Sequence, residues 1–207
     1  MSATRRQLIL AGAAGGLVFS RPMAALAALV PTPRQSEGPF YPDILPGDMD
    51  NDLVRIEGMA REAGGEILRL AGRVLHIDGR PLEGAIVEIW QCDETGRYIH
   101  SRDGGPGGND RYFQGIGRAA VDADGRYTFR TIRPVAYTGR TPHIHAMIIA
   151  ANGRQLTTQV YVAGEATNAR DGLYRRLSPE EQERVTTALI PGPAGFDWLG
   201  EFDFVVG

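Results

Sequence analysis

Apolar and polar residues alternate along much of the chain beyond residue 66, in short runs separated by segments rich in Gly, Asp, Asn and Pro. Period-two alternation is typical of β-strands that bury one face. Strands at such short intervals, with turn residues between them, predict an all-β chain folded as an antiparallel β-sandwich. The predicted strands are 66–78, 84–92, 115–121, 126–132, 143–150, 155–164 and 200–206.

The segments between these runs indicate how the strands are connected. "DADG" at 122–125 and "NGR" at 152–154 each predict a β-hairpin, whereas "GRPLEG" at 79–84 predicts a turn-rich link. The irregular stretch 100–115 is a candidate functional loop, because long loops inside compact domains often carry function.

One short C-terminal helix is predicted within 177–189. Ser178 suits the N-cap and Pro179 the first helical position, and Glu181 can complete a capping box with Ser178. The segments on either side of this helix are predicted to be surface loops, so we expect the helix to have a structural role.

The N-terminal part of the chain does not follow the strand pattern. Residues 1–27 contain an Arg pair, an apolar run and then small residues, which is the order of a twin-arginine-type signal peptide. The apolar run is too short to span a bilayer. We therefore expect an exported protein, periplasmic or extracellular, with no stable membrane span. Residues 28–65 are predicted to form an extended arm on the sandwich domain, which occupies 66–207.

Composition and charge narrow the classes of function. The hydrophobic fraction is 43% and the charged fraction 23%, as in soluble globular proteins. A net charge of -3 argues against a nucleic-acid-binding protein, which normally carries a basic surface. Cys92 is the only cysteine, so an intrachain disulfide is excluded, and its apolar neighbours predict a buried structural residue.

Two histidines stand one residue apart in the predicted strand 143–150. Because alternate side chains of a strand face the same way, His143 and His145 either bind one metal ion or are two half-buried histidines. No acidic residue follows closely enough to complete an iron site of two histidines and one carboxylate. A zinc or copper site of three histidines would have to recruit His100 or His76, and His76 stands next to a turn.

Two tyrosines suggest a different set of ligands. Tyr98 in "ETGRYIHS" and Tyr137 in "RPVAYTGRTPHIH" lie in stretches crowded with Gly, Pro, Thr and Arg, which do not look like core. Each tyrosine taken singly would be an ordinary amphipathic side chain in a loop. Together with the histidine pair, they belong to a longer set of motifs.

These motifs resemble those of the intradiol ring-cleavage dioxygenases, and most closely the iron-bearing chain of the branch that cleaves protocatechuate. The combination of "WQCDETGRY", "FRTIRP" and "HIH" is specific, although no single one of the three is. The segments that carry the resemblance are 37–43, 79–100, 115–134, 140–145 and 157–165.

The resemblance implies a non-haem Fe(III) ion bound by Tyr98, Tyr137, His143 and His145. The donor types suit this ion, since Fe(III) is hard and strongly charged and phenolate is a hard anionic oxygen donor. A bound cation depresses the pKa of its ligands, so tyrosines that titrate near ~10 in water can bind as phenolates.

The resemblance also implies an activity and roles for individual residues. The enzyme would insert both atoms of O2 into a protocatechuate-like catechol and release a muconate-type diacid. Tyr137 would be the displaceable ligand that serves as a base, Arg140 would support the anionic substrate, and Gln159 would line the pocket. The expected partners are the catechol and O2, and such enzymes often form oligomers, whose size the sequence leaves open.

The chain departs from the family between Tyr137 and His143, where "TGRTP" replaces a longer loop that walls the substrate pocket. A shorter loop predicts a more open pocket, suited to bulkier catechols. It also makes Tyr112 and Tyr127 candidate substitutes for Tyr137 at the metal.

Two other interpretations stay open. The segment 72–90 also resembles the transthyretin-like (prealbumin-like) sandwich of exported binding or structural modules, which needs neither metal nor catalysis. Alternatively, His143, His145 and His100 bind copper or zinc. Each interpretation predicts the same architecture, an all-β transthyretin-like sandwich with long loops and one short helix.

Overall fold

The computed structural model describes residues 28–103, 108–153 and 155–207 of the chain. Its strands form two sheets of five strands each. The first sheet contains β1 (Ile67–His76), β4 (Arg126–Ile132), β8 (Leu189–Pro191), β9 (Trp198–Glu201) and β10 (Phe204–Val206). The second sheet contains β2 (Ile86–Trp90), β3 (Ile116–Ala120), β5 (His143–Ile149), β6 (Gln155–Val162) and β7 (Thr186–Thr187).

The two sheets confirm the predicted all-β sandwich and add parallel pairs to it. The longer strands pair antiparallel, as β1 with β4, β2 with β3 and β5, and β5 with β6. Strands β9 and β10 pair with β1 in parallel, and β7 pairs with β6 in parallel. Strand β9 also pairs antiparallel with β8 on its other edge.

One of the two predicted hairpins is wrong. Strands β5 and β6 pair antiparallel around the "NGR" segment, as predicted. The "DADG" turn forms, and the Asp122 carboxylate accepts bonds from the amides of Asp124 (3.0 Å) and Arg126 (2.7 Å). However, β3 pairs with β2 while β4 pairs with β1, so this turn carries the chain from one sheet to the other.

The predicted helix is present and short. Helix α1 spans Pro179–Arg184, and Ser178 and Glu181 form the predicted capping box. The flanking segment contains two 3-10 helices, Ala166–Arg170 and Tyr174–Arg176, where surface loops were predicted. Within the described residues, no helix has the length and apolar character needed to cross a membrane.

Alternate side chains of the second sheet face different environments. Val87, Ile89 and Ile144 point into the large apolar cluster between the sheets. Their neighbours Trp90 and Met147 belong to a smaller cluster on the opposite face, which includes Tyr98. His143 and His145 alternate with Ile144 along β5 and point to the same side as Met147. We call this side the outer face of the second sheet.

The segment 28–65 contains no helix or strand and lies along the sandwich. Part of it fills the gap between β3 and β4. The amide of Arg118 on β3 donates to the carbonyl of Met49 (2.9 Å), and the amide of Arg130 on β4 donates to that of Asn51 (2.8 Å). Leu53 is fully buried in the core at the same point. The arm therefore covers two strand edges that would otherwise be unpaired.

The close approach of this arm to β3 leads to a stability prediction. A Cβ at Gly117 would lie 2.4 Å from the carbonyl oxygen of Asp50 and 2.5 Å from Leu53 Cδ1. We expect Gly117→Ala to lower the free energy of unfolding by about 1–3 kcal/mol, as overpacking generally does. Gly172→Ala is the matched control, because a Cβ there meets nothing within 4 Å. Equal unfolding midpoints in urea for the two variants would contradict this description of the arm.

Candidate active site

The two histidines of β5 are buried side by side on the outer face of the second sheet. His143 is 1% exposed and His145 2% exposed. Their Nε2 atoms are 3.1 Å apart. Burial lowers the pKa of His143 to about 4 and that of His145 well below its ordinary value. Both rings are therefore neutral near pH 7 and each keeps one nitrogen lone pair.

The two rings are held in different ways. His143 directs Nδ1 at the carbonyl oxygen of Thr141 (2.7 Å), so this nitrogen carries the proton and Nε2 carries the lone pair. The Nδ1 atom of His145 is buried and has no hydrogen-bond partner among the described residues. Instead, the ring of His145 stacks on Trp90, with centroids 4.8 Å apart and planes inclined by 9°.

The two predicted tyrosine ligands lie against the histidines. The ring centroid of Tyr98 is 6.0 Å from that of His145, and the centroid of Tyr137 is 5.6 Å from that of His143. The two tyrosine rings meet edge to face at 5.3 Å. The Tyr98 hydroxyl is buried without a hydrogen-bond partner in the described part of the chain. Burial raises the pKa of both phenols, so both are protonated near pH 7 in the metal-free protein.

A tight turn explains how Tyr137 reaches this site despite its short spacing from His143. The amide of Arg140 donates to the carbonyl of Tyr137 (2.8 Å), which closes a four-residue turn. Gly139 occupies the third position with φ of 77°, which a glycine adopts readily. The turn folds the chain back so that Tyr137 and Arg140 lie at the same end of β5.

Arg140 is fixed by a network of polar side chains. Its Nε donates to Asp171 (2.8 Å), and its Nη2 donates to Gln159 (2.5 Å) and to Tyr161 (3.4 Å). Asp171 is buried, and its carboxylate also accepts a hydrogen bond from the backbone amide of Thr141 (2.9 Å). Gln159 stands directly opposite His145 in the β5–β6 register. The predicted substrate-binding residues Arg140 and Gln159 thus contact each other beside the histidine pair.

The N-terminal arm covers this group of side chains. A Cβ at Gly38 would lie 3.3 Å from the ring of His145. The ring of Phe40 stacks on Tyr98 at 5.3 Å and meets Tyr137 edge-on at 6.2 Å. Gln35 Oε1 accepts a hydrogen bond from the hydroxyl of Tyr161 (2.8 Å). The arm therefore forms part of the site.

Several residues of the site were not anticipated from the sequence, namely Gln35, Gly38, Phe40, Trp90, Tyr161 and Asp171. The alternation rule could have indicated Tyr161 and Trp90, because Tyr161 stands opposite His143 and Trp90 opposite His145. Asp171 follows a 3-10 helix 31 residues after Arg140, and no local pattern marks it.

The substitutes considered for Tyr137 lie elsewhere. Tyr127 is buried in the core, where its hydroxyl donates to the carbonyl of Phe202 (2.7 Å). The hydroxyl of Tyr112 accepts a bond from Arg111 (2.6 Å), and Arg61 lies over its ring at 4.2 Å. Neither tyrosine contacts the histidine pair.

The alternative metal ligands do not join the histidine pair either. His100 Nε2 faces Asp43 at 4.0 Å, and His76 ends β1 in the other sheet. Cys92 is buried, as predicted, and burial raises the pKa of its thiol to about 12. In the described residues, no three His, Cys, Asp or Glu side chains are grouped so that they could hold a metal ion. The copper or zinc site with His143, His145 and His100 is therefore not supported.

The arrangement fits a metal ion that accepts phenolate ligands. Two nitrogens bound at roughly 2.1 Å in adjacent positions of one metal would be about 3 Å apart. The separation of the two Nε2 atoms is 3.1 Å. The buried hydroxyl of Tyr98, which has no hydrogen-bond partner among the described residues, is a candidate third donor. A buried polar atom without a partner is costly unless a ligand satisfies it.

Sequence comparisons identify related proteins. A family model described as Dioxygenase matches residues 36–189. The β chain of protocatechuate 3,4-dioxygenase from Burkholderia cepacia is 33% identical over 197 residues, which cover 90% of this chain and 83% of that protein. Catechol 1,2-dioxygenase from Acinetobacter baylyi is 32% identical over 169 residues, which cover 73% of this chain and 52% of that protein.

Solved structures extend the comparison to the fold. The dioxygenase domain of a carbohydrate-binding fusion protein from Streptomyces sp. SirexAA-E is 32% identical with a TM-score of 0.64, covering 86% of this chain and 98% of that one. Catechol 1,2-dioxygenase from Acinetobacter sp. ADP1 is 28% identical with a TM-score of 0.64, covering 84% of this chain and 62% of that one. Sequence motifs, fold and relatives agree, and the chain belongs to the intradiol ring-cleavage dioxygenase family.

Proposed function

We propose that this chain is a non-haem Fe(III) dioxygenase that cleaves a protocatechuate-like catechol between its hydroxyl-bearing carbons to give a muconate-type diacid. Membership of the family supports intradiol cleavage of catechol-type substrates. The observation that carries the proposal is that two neutral imidazoles and two phenols lie against one another on the outer face. A non-catalytic sandwich module would have no use for this group.

Four side chains would hold the iron: Tyr98, Tyr137, His143 and His145. The metal, when bound, supplies Lewis-acid activation of the catechol toward O2. Two phenolates would offset two of the three charges of the ion, which matters because an uncompensated charge is costly in a buried site. The neutral histidines add donors without adding charge.

The two tyrosines differ in a way that suits different roles. Tyr98 is 2% exposed and belongs to the smaller apolar cluster, which also contains Trp90 and against which Phe40 packs. Tyr137 is only partly buried and lies on the four-residue turn. The more accessible phenol is better suited to be the displaceable ligand. As a phenolate, Tyr137 would take a proton from the incoming catechol.

Arg140 would stabilise negative charge on the bound substrate. Its guanidinium is held in place by Asp171 and Gln159, so little reorganisation is needed when the charge develops. Preorganised charge of this kind is generally a large catalytic contribution. Gln159 would line the same pocket, with its Nε2 held by the carbonyl of Ser36 (2.9 Å).

The visible spectrum tests the two phenolate ligands. We expect the iron-replete protein to be coloured, because phenolate bound to Fe(III) gives strong charge-transfer absorption. Tyr98→Phe and Tyr137→Phe should each shift or weaken the band. Tyr127→Phe and Tyr112→Phe are matched controls that should keep it. A colourless iron-replete protein, or a band that neither ligand variant alters, would refute the assignment.

Oxygen uptake with a panel of catechols tests the substrate. The likeness to the Burkholderia cepacia chain over 90% of this chain supports protocatechuate, so we expect kcat/KM to be highest for protocatechuate among protocatechuate, catechol and hydroxyquinol. The product should be the diacid from cleavage between the hydroxyl-bearing carbons. A clear preference for catechol or hydroxyquinol would refute the protocatechuate part of the proposal and leave intradiol cleavage in place.

We also propose export through the twin-arginine pathway, on the residue order within 1–27, which lies outside the described residues. In a bacterial host with this pathway, Arg5→Lys combined with Arg6→Lys should retain the protein in the cytoplasm, because the signal needs both arginines. Arg21→Lys is the matched control. Equal amounts of both variants outside the cytoplasm, measured by cell fractionation, would contradict the proposal.

A further inference from the structure

The Nδ1 atom of His145 makes no hydrogen bond to the described residues that could orient the ring. Metal-binding histidines usually donate this N–H to a carboxylate, a carbonyl or water, which fixes the ring. His143 follows that rule through Thr141, but the Nδ1 of His145 has no partner among the described residues. His145 Nε2 lies 3.1 Å from His143 Nε2, on the side where a metal would bind, so on the opposite side packing holds the ring. The ring that stacks on it there is Trp90, parallel to it within 9°.

Trp90 in turn depends on Tyr41 of the N-terminal arm. The indole Nε1 is buried and also has no hydrogen-bond partner in the described part of the protein. The ring of Tyr41 meets Trp90 edge-on, with centroids 5.1 Å apart and planes inclined by 81°. Tyr41 thus supports the stack of Trp90 on His145. It lies three residues after Gly38, where an added Cβ would be 3.3 Å from the ring of His145.

Tyr41, unlike the indole of Trp90, is anchored by a hydrogen bond. Its hydroxyl donates to Glu88 Oε1 (2.9 Å), and Arg118 Nε donates to Oε2 of the same carboxylate (2.6 Å). Glu88 is fully buried, one strand position from the core residues Val87 and Ile89. Burial and the Glu88 carboxylate raise the pKa of Tyr41 to about 12, so its hydroxyl stays protonated and able to donate.

We propose that Glu88 and Tyr41 are positioning residues for His145: the buried carboxylate fixes Tyr41, Tyr41 fixes Trp90, and Trp90 fixes the imidazole plane. The series Glu88–Tyr41–Trp90–His145 does for His145 what the carbonyl of Thr141 does for His143. None of the first three residues need touch substrate. The consequence for iron rests on the proposed function, whereas the orientation of the ring does not.

Tyr41→Phe tests this series, because it removes one hydroxyl and keeps the ring. In the metal-free protein, labelled imidazole NMR signals can be assigned among the four histidines. We expect the His145 signals to shift or broaden and the His143 signals to stay in place. In the iron-loaded protein, we expect iron loss to a chelator to be faster by about tenfold, at the lower end of effects from residues behind metal ligands.

Tyr127→Phe is the matched control, since it also removes a buried tyrosine hydroxyl bond but lies in the core between the sheets. It should lose stability without changing the His145 signals or the rate of iron loss. Glu88→Gln, whose amide oxygen can still accept the Tyr41 bond, should stay closer to the wild type than Tyr41→Phe does.

The outcomes separate this proposal from the proposed function. Unchanged His145 signals in Tyr41→Phe, or an equal change in Tyr127→Phe, would overturn the positioning role. A wild-type protein that binds no iron would overturn the ferric site, and the imidazole signals would still decide the positioning role.

Discussion

The alternation of side chains along β5 is the constraint on which the candidate site depends. Ile144 points into the apolar core between the sheets, while His143 and His145 point to the outer face. A register shift of one residue would exchange the two sets and place imidazoles in the apolar core. The packing of the sandwich core therefore also determines where the two histidines point.

The outer face is not left to solvent, because the N-terminal arm covers it. The same arm closes the gap between the edge strands β3 and β4 and brings Gly38, Phe40 and Tyr41 onto the site. Changes in the arm are thus expected to affect both folding stability and the side chains of the candidate site. A sheet that presented the histidines without this cover would expose them to water, and their pKa values would not be depressed by burial.

Local patterns predicted local structure well and failed where two distant segments had to meet. Strand β4 has the predicted bounds, and the Ser178 capping box forms as expected. The "DADG" turn also forms, but turn chemistry does not decide whether its two strands share a sheet. The contact of Asp171 with Arg140 could not be predicted from the sequence for a similar reason. No pattern in the sequence around either residue indicates that the two side chains meet. The resemblance to a known family named six residues of the site, and the structure brings them together. They are Tyr98, Tyr137, Arg140, His143, His145 and Gln159.

The position of a bound iron ion is the most direct test of the proposed site. Anomalous diffraction at the iron absorption edge, on crystals of the iron-loaded protein, would locate it without reference to activity. We expect a single strong peak within bonding distance of the phenol oxygens of Tyr98 and Tyr137 and of Nε2 of His143 and His145. A peak away from these atoms, or one bound by the histidines alone, would contradict the proposed site.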